Sequence, residues 1–570
     1  MKIAVIGGGI SGISAAKVAL RFGHEVVIIE KEESLGGLMA KIANCRVGFK
    51  TFFDEIKDEP NLKVMTKKVV SGLEKKNGRF FLTLNGYETI EADRIIIAVG
   101  LSVYEPEFRK KRVLSSFDFD SIIDQRNETL PEDFRRIAFV LCAGSRRKEY
   151  PLCSAVCCSY TLRQIKWTFM RSMPEITVFY NDLRFFGQEY FLERLFREAN
   201  VRFLRTNTQN IEETEDFVRL RYYLNGKVVN EDFNYVVLTS SLRPNSELIR
   251  LAEIFGFSLN QYGFVSEPSP LRTDAENIFA CGGCLEPMNI KDSIITGYAA
   301  GYLASGGKER ERERKKIFRL DDPRPDHFSD GGSRFVLYLG ASDPYTAMFY
   351  EFFSHRFLEL AYRLKEEGKE IYVLTRNVVA PSYGELLYQE TRKKGVIFIH
   401  LEESDEVVFE GNTVHIKGQR SIKIEADRLI LMEDLVKDLK DCEILGFTRS
   451  EPQLRWSPTK WANDRYHVGL ARYPREKRWE MREYYAALAE MFLEPEKKQV
   501  AKVQEERCSG CASCEKSCLS GAIEILRRET KVTLFGPYLK FSKPVAHVSE
   551  DLCVGCGSCV ATCPSHAIEL

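Results

Sequence analysis

The chain has 570 residues, 44% of them hydrophobic and 29% charged, and Lys+Arg and Asp+Glu each number 82. That length predicts several domains, the composition excludes a disordered or fibrous chain, and the balanced charge offers no basic surplus for nucleic acid. No apolar run is long enough to span a bilayer, and Met1 leads straight into a strand-forming run, so a cytoplasmic protein without direct membrane insertion is expected. Sixteen cysteines in such a chain favour metal ligation over disulfides.

The first strand, Ile3-Ala4-Val5-Ile6, runs into Gly7-Gly8-Gly9-Ile10-Ser11-Gly12 and a helical run from Ile13 to Phe22. A second strand, Glu25-Val26-Val27-Ile28-Ile29, ends in Glu30 and Lys31. Strand, glycine loop, helix and acidic strand end together make a dinucleotide-binding unit. Gly7 permits the tight turn, Gly9 admits a pyrophosphate, and Gly12 lets helix and strand pack. Ile10 and Ser11 open the helix whose free N–H groups face the phosphates, and Glu30 can accept from ribose hydroxyls. The alternative is a glycine-rich turn in an ordinary α/β unit.

FAD is favoured over NAD by a resemblance to flavoproteins with two dinucleotide domains of the thioredoxin/glutathione-reductase type. Ser34-Leu35-Gly36-Gly37 resembles their loop beneath the flavin chain. Asp93-Arg94-Ile95-Ile96-Ile97-Ala98-Val99-Gly100 resembles their second FAD strand and glycine. Asn277-Ile278-Phe279-Ala280-Cys281-Gly282-Gly283 resembles their closing strand, with Gly283 where an Asp is usual.

Between these parts, the strand Arg136-Ile137-Ala138-Phe139-Val140-Leu141 leads into Cys142-Ala143-Gly144-Ser145-Arg146 and then Cys153-Ser154-Ala155-Val156-Cys157-Cys158. One loop glycine remains, which argues against a nicotinamide site. Cys142, Cys153, Cys157 and Cys158 are read as ligands of a [4Fe–4S] cluster, with labile zinc or a redox disulfide as the alternative. The combination Cys-x-Gly-Ser-Arg with Cys-Ser-x-Val-Cys-Cys resembles the A subunit of heterodisulfide reductase and its relatives. These include the flavin subunits of the quinone-interacting membrane-bound oxidoreductase of sulfate reducers. Cys281-Gly282-Gly283-Cys284-Leu285-Glu286-Pro287-Met288-Asn289-Ile290-Lys291-Asp292 supports the likeness, which extends over nearly the whole chain. In that family the four signature cysteines hold a cluster close to the flavin. The resemblance implies an oxidoreductase subunit of a multi-subunit complex, homo- or hetero-oligomeric. Its implied partners are B/C-type or quinone-interacting subunits, ferredoxin, or a hydrogenase or dehydrogenase. The family's extra N-terminal cluster domain and inserted ferredoxin have no counterpart in this sequence, which leaves the partner set open.

Lys291 is a candidate catalytic residue, since a positive charge near the flavin ring would stabilise its reduced anion; a surface lysine is the alternative. Cys281 and Cys284 read as small residues packed near the flavin rather than as a redox dithiol. Cys45 and Cys442 read as inert thiols.

Further along, Glu175–Phe179 matches Glu370–Leu374 and Val201–Leu204 matches Val396–Ile399, both at an offset of 195 residues. Phe255-Gly256-Phe257 echoes Leu445-Gly446-Phe447, and Ala299-Ala300 echoes Ala486-Ala487. A duplicated domain is expected, with Leu337-Tyr338-Leu339-Gly340 in the place of the cysteine loop and no cofactor. Its expected role is to position the last domain or to present a docking face. Residues 456–479 carry Trp456, Trp461, Trp479 and several arginines, as a partner surface or as ordinary packing.

Cys508, Cys511, Cys514 and Cys518 are spaced x2, x2, x3, and Cys553, Cys556, Cys559 and Cys563 repeat the spacing. This pattern builds a two-cluster ferredoxin in which each fourth cysteine serves the other cluster. One cube takes Cys508, Cys511, Cys514 and Cys563; the other takes Cys553, Cys556, Cys559 and Cys518. A pair of zinc sites fits the spacing poorly. Leu519 stands where Pro564 stands in the second run.

The expected organisation is an FAD domain over 1–130 and 243–306, with a second dinucleotide-like domain over 131–242. A charged linker over 307–332, a degenerate α/β duplicate over 333–500 and an α+β ferredoxin domain over 501–570 follow. The expected cofactors are FAD and three [4Fe–4S] clusters. Such a chain would pass electrons between a low-potential carrier and its partners, by flavin-based bifurcation or by simple relay. A self-contained NAD(P)H-dependent reductase is the competing reading.

Overall fold

The computed structural model describes residues 1–42, 52–104, 111–124, 130–185, 188–307, 317–318, 332–340, 350–402, 404–418, 421–431, 460–462, 465–467, 477–490, 493, 500–518, 522–532, 539–550, 553 and 557–569. Cys45, Cys442, Cys556, Leu519, Trp456, the echo at 445–447 and most of the charged linker lie outside these residues.

Three parallel sheets carry the α/β part. In the first, the strand Lys2–Ile6 is central, flanked by Glu25–Ile29 and Leu62–Met65 on one side and by Arg94–Ile97 and Ile278–Ala280 on the other. Lys2–Ile6, Glu25–Ile29 and Arg94–Ile97 are, past their first residue, runs of Ile, Val or Ala buried on both faces, as helix-covered parallel strands require. The helix Ile10–Arg21 lies against the helix Ile290–Ala304. Small residues allow this approach: a Cβ on Gly297 or Gly301 would collide with the carbonyl oxygens of Ser11 and Ala15.

The second sheet has the order Arg202–Arg205, Glu175–Tyr180, Arg136–Ala143, Tyr235–Ser240, Val113–Ser115, all parallel, with an antiparallel trio at 208–233 beside it. The third runs Ile397–His400, Glu370–Thr375, Arg334–Leu339, Arg428–Leu431, again parallel, with an antiparallel trio at 406–425. Strand order and register correspond. Arg136 pairs with Glu175 at 3.0 Å, and Arg334 with Glu370 at 2.7 Å. Asn234 Oδ1 accepts from Arg136 N–H at 3.0 Å, and Asp427 Oδ2 from Arg334 N–H at 2.9 Å. This register sets Gly340 opposite Cys142, so only the end of the segment 337–340 falls at the cysteine position.

The helix Lys477–Glu490 does not join the core of the third sheet. Its Trp479, Ala486, Leu488 and Ala489 belong to the core of the first sheet, and it packs on the helix Ile290–Ala304. The domain expected over 333–500 is therefore split between two cores.

The C-terminal unit pairs Lys502–Val503 with Ile568–Glu569 and carries a long hairpin, Ile523–Val532 with Leu539–Val548. Its two short helices, Ser513–Ser517 and Ser558–Thr562, each follow a left-handed residue, Ala512 and Gly557.

Candidate functional site

At the first sheet, Gly7 adopts φ +108°, a conformation open to glycine. A Cβ on Gly12 would collide with the Gly7 carbonyl, whereas a Cβ on Gly9 or Gly100 would meet no atom within 4 Å. The helix thus needs Gly12 for packing, and open space stands at Gly9 where a pyrophosphate would lie. Gly37 closes against Gly9, and Gly36 N–H donates to the Gly8 carbonyl. Glu30 is buried and accepts from Gly8 N–H at 2.7 Å and Glu32 N–H at 2.9 Å. Its carboxylate keeps acceptor sites beyond these two bonds. Ile10 and Ser11 are buried in the first helical turn, and Lys31 is exposed. The features together fit a dinucleotide.

The closing segment returns beside this loop. A Cβ on Gly282 would strike the Ser11 side chain, and one on Gly283 would strike Leu101. An Asp at 283 would therefore require the Leu101 side chain to move. Cys281 and Cys284 are fully buried free thiols. Cys284 donates to the carbonyls of Ile97 at 3.3 Å and Cys281 at 3.0 Å, and Cys281 to that of Ser11 at 3.8 Å. Burial pushes Cys284 up to about 12 and Cys281 well above its ordinary value, so both remain protonated donors. Lys291 is exposed in the first turn of its helix, which Asn289 caps.

The four cysteines expected as a third cluster site come together at the carboxyl end of the strand Arg136–Ala143. Cys157 and Cys158 open the helix Cys157–Phe169, and all four are buried free thiols. The loop is held in strained backbone: Cys142, Arg146 and Ala155 have φ of +60°, +55° and +62°. Non-glycine residues in that region mark sites whose geometry the surroundings impose. A hydrogen bond from Cys157, with Arg146 nearby, holds the Cys142 thiol well below its ordinary value, while Cys157 is pushed far up. Burial pushes Cys153 up to about 12. Ala155 N–H donates to Cys153 Sγ and Arg184 N–H to Cys158 Sγ, both at 3.4 Å.

Sequence reasoning missed the charges around these thiols. Arg146 pairs with Asp182 at 2.7 Å, and Arg184 with Glu385 at 2.5 Å. Arg205 lies 3.3 Å from Asp182 and bonds His400 Nδ1 at 3.1 Å. Arg146 was visible inside the Cys-x-Gly-Ser-Arg motif; nothing local marks Glu385, which comes from the third sheet's unit. Arg146 Nη1 and Arg184 Nε are buried with no hydrogen-bond partner among the described residues. Orphaned cationic donors beside four buried thiols suit a group that carries negative charge, as a thiolate-bound cube does. Among the described residues no group of three or more His, Cys, Asp or Glu is placed to hold a single metal ion. A cavity of 740 Å³ opens above the network, lined by Arg146, Asp182, Arg205, Glu385, Tyr388 and His400 among others.

In the last unit, Cys508, Cys511 and Cys563 are neighbours of Cys514, the set expected for one cube. The other set is seen in part, through Cys518, Cys553 and Cys559. The two halves mirror each other. Ala522 N–H donates to Cys518 Sγ and Ala567 N–H to Cys563 Sγ, both at 3.2 Å, and Thr562 Oγ1 meets Ser517 Oγ at 3.0 Å. No helix among the described residues is long and apolar enough to cross a membrane.

A family described as pyridine nucleotide-disulphide oxidoreductase matches residues 1–145, and a 4Fe-4S dicluster domain matches residues 507–567. Over 418 residues the chain is 25% identical to the second iron–sulfur A subunit of CoB–CoM heterodisulfide reductase of Methanopyrus kandleri, covering 53% of this chain and 63% of that protein. It is 30% identical over 244 residues to the A subunit of the H(2):CoB-CoM heterodisulfide,ferredoxin reductase of Methanothermobacter thermautotrophicus, covering 38% and 37%. It is 37% identical over 182 residues to a protein of Archaeoglobus profundus described as like the heterodisulfide reductase A subunit, covering 30% and 26%. The chain thus spans less than two thirds of each relative, and about half of its own length aligns with the first. Thioredoxin reductase of Lactococcus lactis is similar in structure with TM-score 0.41 and 17% identity, over 54% of this chain and 98% of that one.

The domain matches define an oxidoreductase that takes a flavin in an N-terminal dinucleotide fold and [4Fe–4S] clusters in a C-terminal ferredoxin domain. Over the aligned stretches the chain is similar to the A subunits of heterodisulfide reductases.

Proposed function

We propose that this chain is the flavin and iron–sulfur electron-transfer subunit of a heterodisulfide-reductase-like complex. It would exchange electrons with a low-potential carrier on one side and with B/C-like or quinone-interacting partners on the other. In this reading FAD and three [4Fe–4S] clusters are its cofactors, and the unit at 332–431 is a duplicated dinucleotide domain without one. FAD, when bound, supplies two-electron chemistry that one-electron clusters can draw on singly. The chain's own residues do the rest. Gly7, Gly9 and Gly12 shape the phosphate loop, and Glu30 braces it through Gly8. Gly36, Gly37, Gly100 and Gly282 leave room along the dinucleotide. Cys142, Cys153, Cys157 and Cys158 offer thiolates in the crevice where this fold would otherwise take a nicotinamide.

That last arrangement is the observation that carries the reading: four buried cysteines with cationic neighbours stand at the carboxyl end of the strand Arg136–Ala143. Anaerobic mixing tests it. Reduced ferredoxin should bleach the flavin of the purified chain, and NADPH alone should leave it oxidised. Rapid bleaching by NADPH would instead favour the self-contained reductase. Bifurcation predicts that flavin oxidation by a partner splits electrons to two acceptors of unequal potential; a relay delivers both to one.

A further inference from the structure

The unit at 332–431 forms the outer wall of the cysteine site. Ser382 O accepts from Cys153 N–H at 3.4 Å, and Asn377 Oδ1 accepts from Leu183 N–H at 3.1 Å. Val378 O accepts from Arg184 Nη1, and Gln389 Nε2 donates to Pro151 O at 3.1 Å. Ser382 Oγ also donates to Glu286 Oε2 at 2.6 Å, which ties this wall to the segment closing the flavin fold. The expected roles for this unit were to position the ferredoxin or to present a docking face. Its described contacts include the cysteine loop, the segment around Leu183 and Arg184, Asn260 and Glu286.

One charge comes with that wall. Glu385 Oε2 accepts from Arg184 Nη2 at 2.5 Å and lies 2.9 Å from Arg146 Nε. The side chains of Arg146, Asp182, Arg184 and Glu385 are 6%, 4%, 1% and 3% exposed. With Arg205 3.3 Å from Asp182, three cations and two anions meet beside the thiols, and one of the anions belongs to another unit. Burial pushes His400 down to about 4, so it adds no charge at neutral pH. Charges this buried are weakly screened by salt.

We propose that Glu385 is a positioning residue of the third cluster: by pairing with Arg146 and Arg184 it lets the docked unit set that cluster's reduction potential. The inference rests on the reading that Cys142, Cys153, Cys157 and Cys158 hold a cluster. One-electron reduction adds a negative charge to the cube. Arg146 and Arg184 favour the added charge, and Glu385 opposes it and occupies both guanidinium groups. The unit has lost its own cysteine, Gly340 standing opposite Cys142, yet keeps a stake in the chemistry through one carboxylate.

The test is an EPR-monitored redox titration of the full chain, with the two ferredoxin clusters in the same sample as reference. Glu385→Gln keeps the shape and removes the charge. It should raise the third cluster's midpoint by a factor of ten or more in the one-electron equilibrium, about 59 mV, and leave the ferredoxin midpoints in place. Arg146→Gln should lower it. A third-cluster midpoint unmoved in Glu385→Gln, in protein holding about twelve irons per flavin, overturns the inference while leaving the cluster assignment intact. Wild-type protein with about eight irons per flavin overturns the cluster assignment itself. If Glu385→Gln does not accumulate as folded chain, Arg146→Gln decides alone, a fall supporting the inference and an unmoved midpoint refuting it.

Discussion

Arg482 should be among the costliest side chains in the molecule to remove. Its guanidinium is 2% exposed, bonds Glu286 Oε1 at 2.5 Å and also Glu267, and lies 4.7 Å from the Trp479 ring. Glu286 is 1% exposed, so Arg482→Met leaves a carboxylate in the interior with its cationic partner gone. Breaking a buried pair from one side costs about 3–5 kcal/mol, because the surviving charge is uncompensated. The helix Lys477–Glu490 carries Arg482 and packs on Ile290–Ala304, the helix that closes the flavin fold, so the loss should appear as early flavin release. The assay is flavin fluorescence along a urea series. Adding Glu286→Gln should recover part of the deficit, since a neutral amide is cheaper to bury than a carboxylate that has lost its cationic partner and keeps the Ser382 hydroxyl. Release of flavin by Arg482→Met within about 0.5 kcal/mol of wild type would refute the reasoning, as a pair worth so little would be a solvated one.

Gly12→Val should yield folded ferredoxin clusters and little flavin, measured by absorbance against iron, because its side chain meets the Gly7 carbonyl. Cys281→Ala and Cys284→Ala should each change electron transfer to an artificial acceptor by less than about twofold, and native protein should resist alkylation there, since these thiols are buried, protonated and bonded to carbonyls. His400 titrates below its ordinary value because burial disfavours its charged form. The unfolded chain therefore takes up that proton first as pH falls. Stability should be full above about pH 6.5 and decline toward pH 4, by at most about 3 kcal/mol, and His400→Gln should flatten that slope in denaturant melts. Asp182 shows the opposite habit for an acid. Burial would raise it, yet Arg184 and Arg146 hold it below its usual range, so its contribution is complete above about pH 4 and fades only at lower pH. Asp182→Asn should remove that acid-limb dependence.

The parts legible in the sequence were those encoded locally. The glycine loop, its flanking strands and the two ferredoxin runs each place every relevant residue within a few positions, and their geometry follows from chain connectivity. The cysteine quartet's convergence was legible because Cys142 lies at the end of a strand and Cys157 opens a helix, which brings both to the carboxyl end of the sheet. Glu385 was not legible: it reaches the site through tertiary packing across some 200 residues, and an exposed helical Glu-Leu-Leu reads the same as a buried one. The fate of the helix Lys477–Glu490 was hidden for a like reason. Its Ala-rich face matches the core of the first sheet as well as it would any other, and only the buried Arg482–Glu286 pair distinguishes that docking. The Gly283 departure looked like a missing contact, and nothing local marked that the Leu101 side chain packs against that position.

The central claim is a cluster held where a nicotinamide site would stand, and iron counted per flavin with EPR of the dithionite-reduced chain tests it most directly. The account predicts about twelve irons per flavin in the wild type and about eight in Cys157→Ala, with both ferredoxin signals preserved. A wild type with about eight irons, or a Cys157→Ala variant that loses none, would contradict it.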